Sequence, residues 1–373
     1  MRATRREWCG GVLALVGGAV LGGCGRAADA GGARDAAVRA AVARWARPPA
    51  GLPVGEWTYA VTSVDGAAGT ARARLRWSLR GIDGTPVTAE RALRFTGTAG
   101  AGVRVLGDGP APGARAQLWD AGSARALPAR HGIVLDLGRP AGEAEAVAAL
   151  LDRAVPAAAR AWPRRDAGSG RVAVCLPATG AALASLLGGA PGAYAGLAAV
   201  TDGATGALAD RVLINPEVWP GLSEAGRRVV LTHEVTHVLT RSATTGRTPP
   251  WLSEGFAEWA AQREEPGPPE RAAPELARAV RAGRVPDALP DPAAFAFGGG
   301  ADDAEAPARA YAGAWLACRL LARRWGDAAL VRLYEEAGRE GAPAALRAVT
   351  GLTEREFTAA WRAELREVFG ARA

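Results

Sequence analysis

The strongest constraint in this sequence is a helix apolar enough to be buried that nonetheless carries three ionisable groups within five residues. Residues 224–241 read EAGRRVVLTHEVTHVLTR. Val229, Val230, Leu231, Val235, Val238 and Leu239 surround His233-Glu234-x-x-His237. Two imidazoles and a carboxylate in such a helix cost several kcal/mol in lost hydration unless something satisfies them. Residues four apart share a helix face, so His233 and His237 point the same way. Their ring nitrogens can occupy two corners of a tetrahedron around a metal ion. Glu234 projects beside that position, where a carboxylate can take a proton from a metal-bound water. The chain has three histidines in all, and two fall in this pentapeptide. The third, His131, is expected at the surface or at a domain junction.

A catalytic site with two histidines needs a third protein ligand and an open position. Thr248-Pro249-Pro250 offers a helix start, because proline is tolerated in the first turn. Glu254 and Glu258 follow at i and i+4 on that helix. Trp251-Leu252-Ser253-Glu254-Gly255-Phe256-Ala257-Glu258-Trp259 resembles the second segment of the gluzincins. This is the peptidase MA-like group that includes thermolysin and the leucyl-type aminopeptidases. The resemblance covers residues 195–335. It implies that His233, His237 and Glu254 bind Zn2+ and that Glu234 is the general base. Glu258 matches no ligand position of the family pattern and is assigned to bond a ligand histidine.

The sequence departs from the aminopeptidases in a slightly shorter loop between motifs and in lacking a G-A-M-E-N-like segment, so aminopeptidase activity is not supported. Tyr311-Ala312-Gly313, expected to open a helix, partly resembles the Y-x-K-G stretch of those relatives. There the tyrosine stabilises the oxyanion. Tyr311 is read either in that role or as a core residue at a helix start. In the gluzincin layout an edge strand before the active helix pairs with an extended peptide, and Arg211–Asn215 stands in that position.

The N-terminus reads as an export signal. Arg2, Arg5 and Arg6 precede the short apolar run Gly10–Leu21, which is too short for a comfortable membrane span. Leu21-Gly22-Gly23-Cys24 resembles a lipobox, which implies lipidation of Cys24 and a mature chain beginning there; a plain secretory peptide is the alternative. Thr4-Arg5-Arg6-Glu7-Trp8 also resembles a twin-arginine signal. No lysine occurs among the 45 basic residues, which excludes a P-loop lysine or a lysine Schiff base. The net charge of +7 reads as a solvated arginine-rich surface, with no basic cluster beyond the leader to suggest nucleic acid. Cys175 and Cys318 sit in apolar runs and are expected as buried thiols rather than a bridge.

The remaining pattern gives an α+β chain. Residues 1–23 are the signal peptide and 24–33 a tether. A helix over 34–47 is followed by period-two alternation over 55–127, with Ala71, Ala73, Leu75, Trp77 and Leu79 opposite arginines. One helix on an antiparallel sheet is similar in shape to NTF2-like accessory domains, here residues 34–130. Residues 131–373 then carry mixed strands and helices, expected as a thermolysin-like catalytic domain with a helical subdomain from about residue 308. Pro156 is expected to kink the helix over 142–162.

The expectation is a lipid-anchored zinc metallopeptidase on the extracytoplasmic face of the cell membrane, acting on a peptide or protein substrate. The alternative is a lipoprotein that retains zinc and binds a peptide or wall component without turnover.

Overall fold

The computed structural model describes residues 24–163, 170–203, 210–265, 267–295 and 304–370, with the backbone alone over 24–30. The leader, the lipobox side chain of Cys24 and the glycines at 298–300 lie outside the described residues. Among the described residues, no helix is long and apolar enough to cross a membrane.

The architecture is α+β, built on two sheets and a helical layer. Helix α1 runs from Cys24 to Trp45. Residues 24–33, expected as a tether, are instead its first turns. Val38, Ala41 and Val42 form its buried stripe, packed on Val61, Ala73, Leu93 and Phe95. Strands β1 (Val54–Asp65), β2 (Thr70–Leu79), β3 (Val87–Thr98) and β4 (Gly102–Pro110) pair antiparallel in chain order. Alternation puts Ala71, Ala73, Leu75, Trp77 and Leu79 inside and Arg72, Arg74 and Arg76 in water, as the period-two pattern requires.

The second sheet has the order β5-β6-β7-β9-β8. β5 (Arg125–Ala129) pairs antiparallel with β6 (Gly132–Leu137) through the turn at Arg130-His131. The N-terminal sheet therefore ends at Pro110, and residues 125–130, expected in the first unit, belong to the second. Alternation marks a strand but does not say which sheet it joins. Half-buried His131 sits in that turn, its backbone N–H donating to Asp152 Oδ1 at 2.9 Å.

Helix α2 (Glu143–Ala161) crosses to β7 (Val172–Pro177), parallel to β6. Pro156 lies inside α2, which is assigned as one helix across it. Helix α3 (Gly180–Leu187) leads to β8 (Ala199–Asp202) and β9 (Arg211–Ile214), which pair antiparallel. β9 also pairs with β7, so it is an interior strand. The edge is β8, which corrects the expectation that Arg211–Asn215 lies there.

β7 is buried at all six positions because both faces of this sheet are covered. Val134, Val174, Val212 and Ile214 face the helices. Ile133, Leu135, Cys175 and Leu213 face Leu75, Trp77, Leu79 and Val87 of the N-terminal sheet. The two sheets thus share one core. Arg211 Nη2 donates to Asp83 Oδ2 across this junction at 2.6 Å, and both side chains are 1% exposed. Cys175 and Cys318 are both buried free thiols.

The helical layer comprises α4 (Glu224–Thr240), α5 (Pro250–Gln262), α6 (Pro269–Ala272), α7 (Pro274–Arg281), α8 (Ala306–Trp325), α9 (Asp327–Glu340), α10 (Ala342–Thr350) and α11 (Glu354–Phe369). Its core joins Trp162, Phe256 and Tyr334, whose rings meet edge-on at 5.1–5.6 Å.

Candidate metal centre

Helix α4 begins where its cap allows. The Ser223 hydroxyl accepts from the Gly226 N–H at 3.1 Å, and Glu224 lies in the positive first turn. Leu231, Val235 and Leu239 are buried, which fixes the rotation of the helix and aims His233 and His237 at α5. Thr236, Thr240 and Thr244 each donate their hydroxyl to the carbonyl four residues earlier, so none is an orphan in this buried segment. Helix α5 starts at Pro250, with Pro249 as its extended cap residue. Gly255 has its own steric reason: a Cβ there would lie 2.3 Å from the Ala314 carbonyl oxygen. The glycine lets α8 approach α5 closely beside Glu254.

These helices bring His233, His237 and Glu254 together. His233 Nε2 lies 3.1 Å from His237 Nε2 and 3.2 Å from Glu254 Oε2, and His237 Nε2 lies 3.3 Å from the same oxygen. A tetrahedral ion held at about 2.0–2.1 Å by nitrogen and oxygen donors separates those donors by about 3.3 Å. The donor triangle therefore fits a small divalent cation. Its chemistry fits as well, because two imidazole nitrogens facing each other beside a carboxylate present convergent lone pairs that one cation satisfies together. His233 is nearly buried, whereas the His237 and Glu254 side chains are 18% and 22% exposed, which leaves that side of the triangle accessible.

Glu258 lies one turn beyond Glu254. Its Oε2 is 3.1 Å from His233 Nδ1, and its Oε1 accepts from Gln262 Nε2 at 2.8 Å. This fixes the ring so that Nε2 faces the triangle. Burial alone would lower the basicity of His233, but Glu254 and Glu258 outweigh it and raise its pKa well above the ordinary histidine range. Burial would likewise raise both carboxyls. His237 and His233 instead hold Glu254 far below the carboxylate range, and His233 and Gln262 lower Glu258.

Glu234 reaches towards β8 while staying close enough to His233 and Tyr311 to act on their charge. Thr201 Oγ1 lies 2.6 Å from Glu234 Oε2 and 3.0 Å from the Glu234 carbonyl oxygen. Thr201 is a contact of Glu234 that no motif in the sequence marks. Its only trace in sequence is a hydroxyl in the short strand AVTD. Gln262 was missed too, although its i+4 spacing from Glu258 was there to be read.

Tyr311 does not open its helix. It lies in the second turn of α8, with its ring 6.0 Å from that of His233 and 5.1 Å from Phe295. Burial, and then the carboxylates of Glu254, Glu234 and Glu258, push its phenol above the ordinary tyrosine range. It is a protonated O–H donor at neutral pH.

No protein-family model matches this sequence, and no curated protein matches it.

Proposed function

We propose that this chain is a zinc-dependent peptidase of gluzincin type, with a thermolysin-like catalytic layer and an NTF2-like-shaped N-terminal unit. In this reading it is held through a lipid on Cys24 at the extracytoplasmic face of the cell membrane. The observation that carries the reading is the convergence of His233, His237 and Glu254 at 3.1–3.3 Å with Glu234 alongside. The three converging side chains would hold Zn2+, whose N/O preference they match. When bound, zinc supplies a Lewis acid that polarises a carbonyl and acidifies water.

The protein groups divide the remaining work. Glu234, anchored by Thr201, takes a proton and returns it to the departing amine. Tyr311 supplies an O–H donor for negative charge developing on the carbonyl oxygen. Glu258 keeps His233 in the orientation that presents Nε2. The edge strand β8, lying against α4, takes the place expected of Arg211–Asn215 for pairing with an extended peptide.

Metal analysis of zinc-replete protein, paired with cleavage profiling on unstructured polypeptides, tests the proposal. One zinc per chain and chelator-sensitive cleavage are expected. Glu234→Gln should retain the metal and lose turnover by about 10²–10⁴-fold. Zinc well below one equivalent, or cleavage unchanged in Glu234→Gln, would overturn it.

A further inference from the structure

A concavity of about 410 Å³, apart from the metal centre, lies between α4, α5, α6 and α8. That size suits a small organic molecule. Its walls continue the ridges that build the metal centre: Val229 is one turn before His233, and Trp315 is one turn after Tyr311. Gln262 joins the two directly, because its amide donates to Glu258, which holds His233. None of the three converging donors lines this space.

The lining combines aromatic walls with an excess of positive charge. Trp259 and Trp315 supply aromatic walls, 5% and 7% exposed. Around them stand three guanidinium groups, Arg263, Arg271 and Arg319, against one carboxylate, Glu265. Glu265 is already neutralised by Arg228 at 2.5 Å. Arg263 lies over the Trp259 ring at 4.6 Å and reaches the exposed Asp327. Arg319 shares the single buried carboxylate Glu364 with Arg323. Burial and that neighbouring cation lower the Arg319 pKa, the sign of an under-compensated charge. Arg271 is exposed and has no ion-pair partner among the described residues.

We propose that this pocket binds a carboxylate carried on an aromatic or apolar stem, with the stem against Trp259 and Trp315 and the anion between Arg271 and Arg319. Guanidinium recognises a carboxylate through paired N–H donors, and the exposed parts of the two tryptophans give the stem an apolar wall. Two sources share this chemistry: the free C-terminus of a peptide and a small carboxylic acid. The proposal stands whether or not the chain cleaves peptides.

Titration calorimetry on the full chain with N-acetyltryptophan and with N-acetyltryptophanamide provides the test, since the two share a shape and differ in charge. The acid should bind at one site, and the amide about tenfold more weakly or worse. Arg271→Gln should weaken the acid about tenfold and leave the amide unchanged; with no ion pair to lose, this variant keeps the fold. Arg319→Gln should act in the same direction. Equal binding of acid and amide, no saturable binding, or wild-type affinity in both variants would overturn the proposal. A short peptide ending in tryptophan, as free acid and as amide, separates the sources in the Glu234→Gln protein. Displacement of the probe by the free acid alone assigns a peptide terminus. No displacement by either peptide assigns a small carboxylic acid, and both results keep the carboxylate site.

Discussion

At the scale of single residues, each site contact makes a separable contribution. Thr201 fixes the Glu234 carboxylate from a different element, so Thr201→Val should lower kcat about tenfold with little change in KM, and Thr201→Ser should restore it. A purely structural threonine would not give that split or that rescue. On the proposed zinc reading, Glu258→Ala should instead weaken metal binding by about 10–100-fold, read by competition with a chelator. The legibility of these residues differs for a physical reason. His233, His237, Glu254 and Glu258 lie at spacings set by the helix repeat, and a spacing is visible in sequence. Thr201 meets Glu234 across 33 positions through a strand-to-helix contact, and no local rule encodes such a meeting.

At the scale of elements, several helices were readable from their ends, though not the start of α1 or of α8. Ser223, Pro250 and the capping box of Thr353 with Glu356 mark starts by chemistry that acts within three residues. The placement of strands was not readable in the same way. RVLI is equally apolar in an edge or an interior position, and the pairing of β9 with both β7 and β8 decides the matter. Two element-level outcomes follow. Gly255→Ala drives a methyl into the Ala314 carbonyl and must push α8 from α5, costing about 1–3 kcal/mol and displacing Tyr311. Thermal unfolding and turnover should fall together. The second concerns Asp136, near the end of β6. Burial would raise its pKa, but N–H groups of Arg139 and Gly138, with Arg125, lower it. Because the folded pKa is the lower one, its stabilising effect is present above the ordinary aspartate range. It is lost as pH falls through the depressed value. The stability advantage of wild type over Asp136→Asn should therefore shrink on acidification below about pH 4.

At the scale of the whole molecule, the two sheets form one folding unit. The sequence pattern suggests a detachable N-terminal module, because alternation shows that β2 has a buried face without showing what covers it. The structure covers part of that face with β6, β7 and β9. Asp83, legible only as a turn residue, neutralises the buried Arg211. Asp83→Ala leaves that guanidinium uncompensated and should cost about 3–5 kcal/mol in chemical denaturation. Deleting residues 34–128 should give insoluble protein rather than a free second unit. The two thiols add a means of watching this unit come apart. Cys175 lies between the sheets, its pKa pushed up to about 12 by burial, and Cys318 lies in α8 against the Leu252 carbonyl. Each layer of the molecule thus carries its own latent label. Alkylation followed peptide by peptide would time the opening of the sheet junction separately from that of the helices beneath the metal centre.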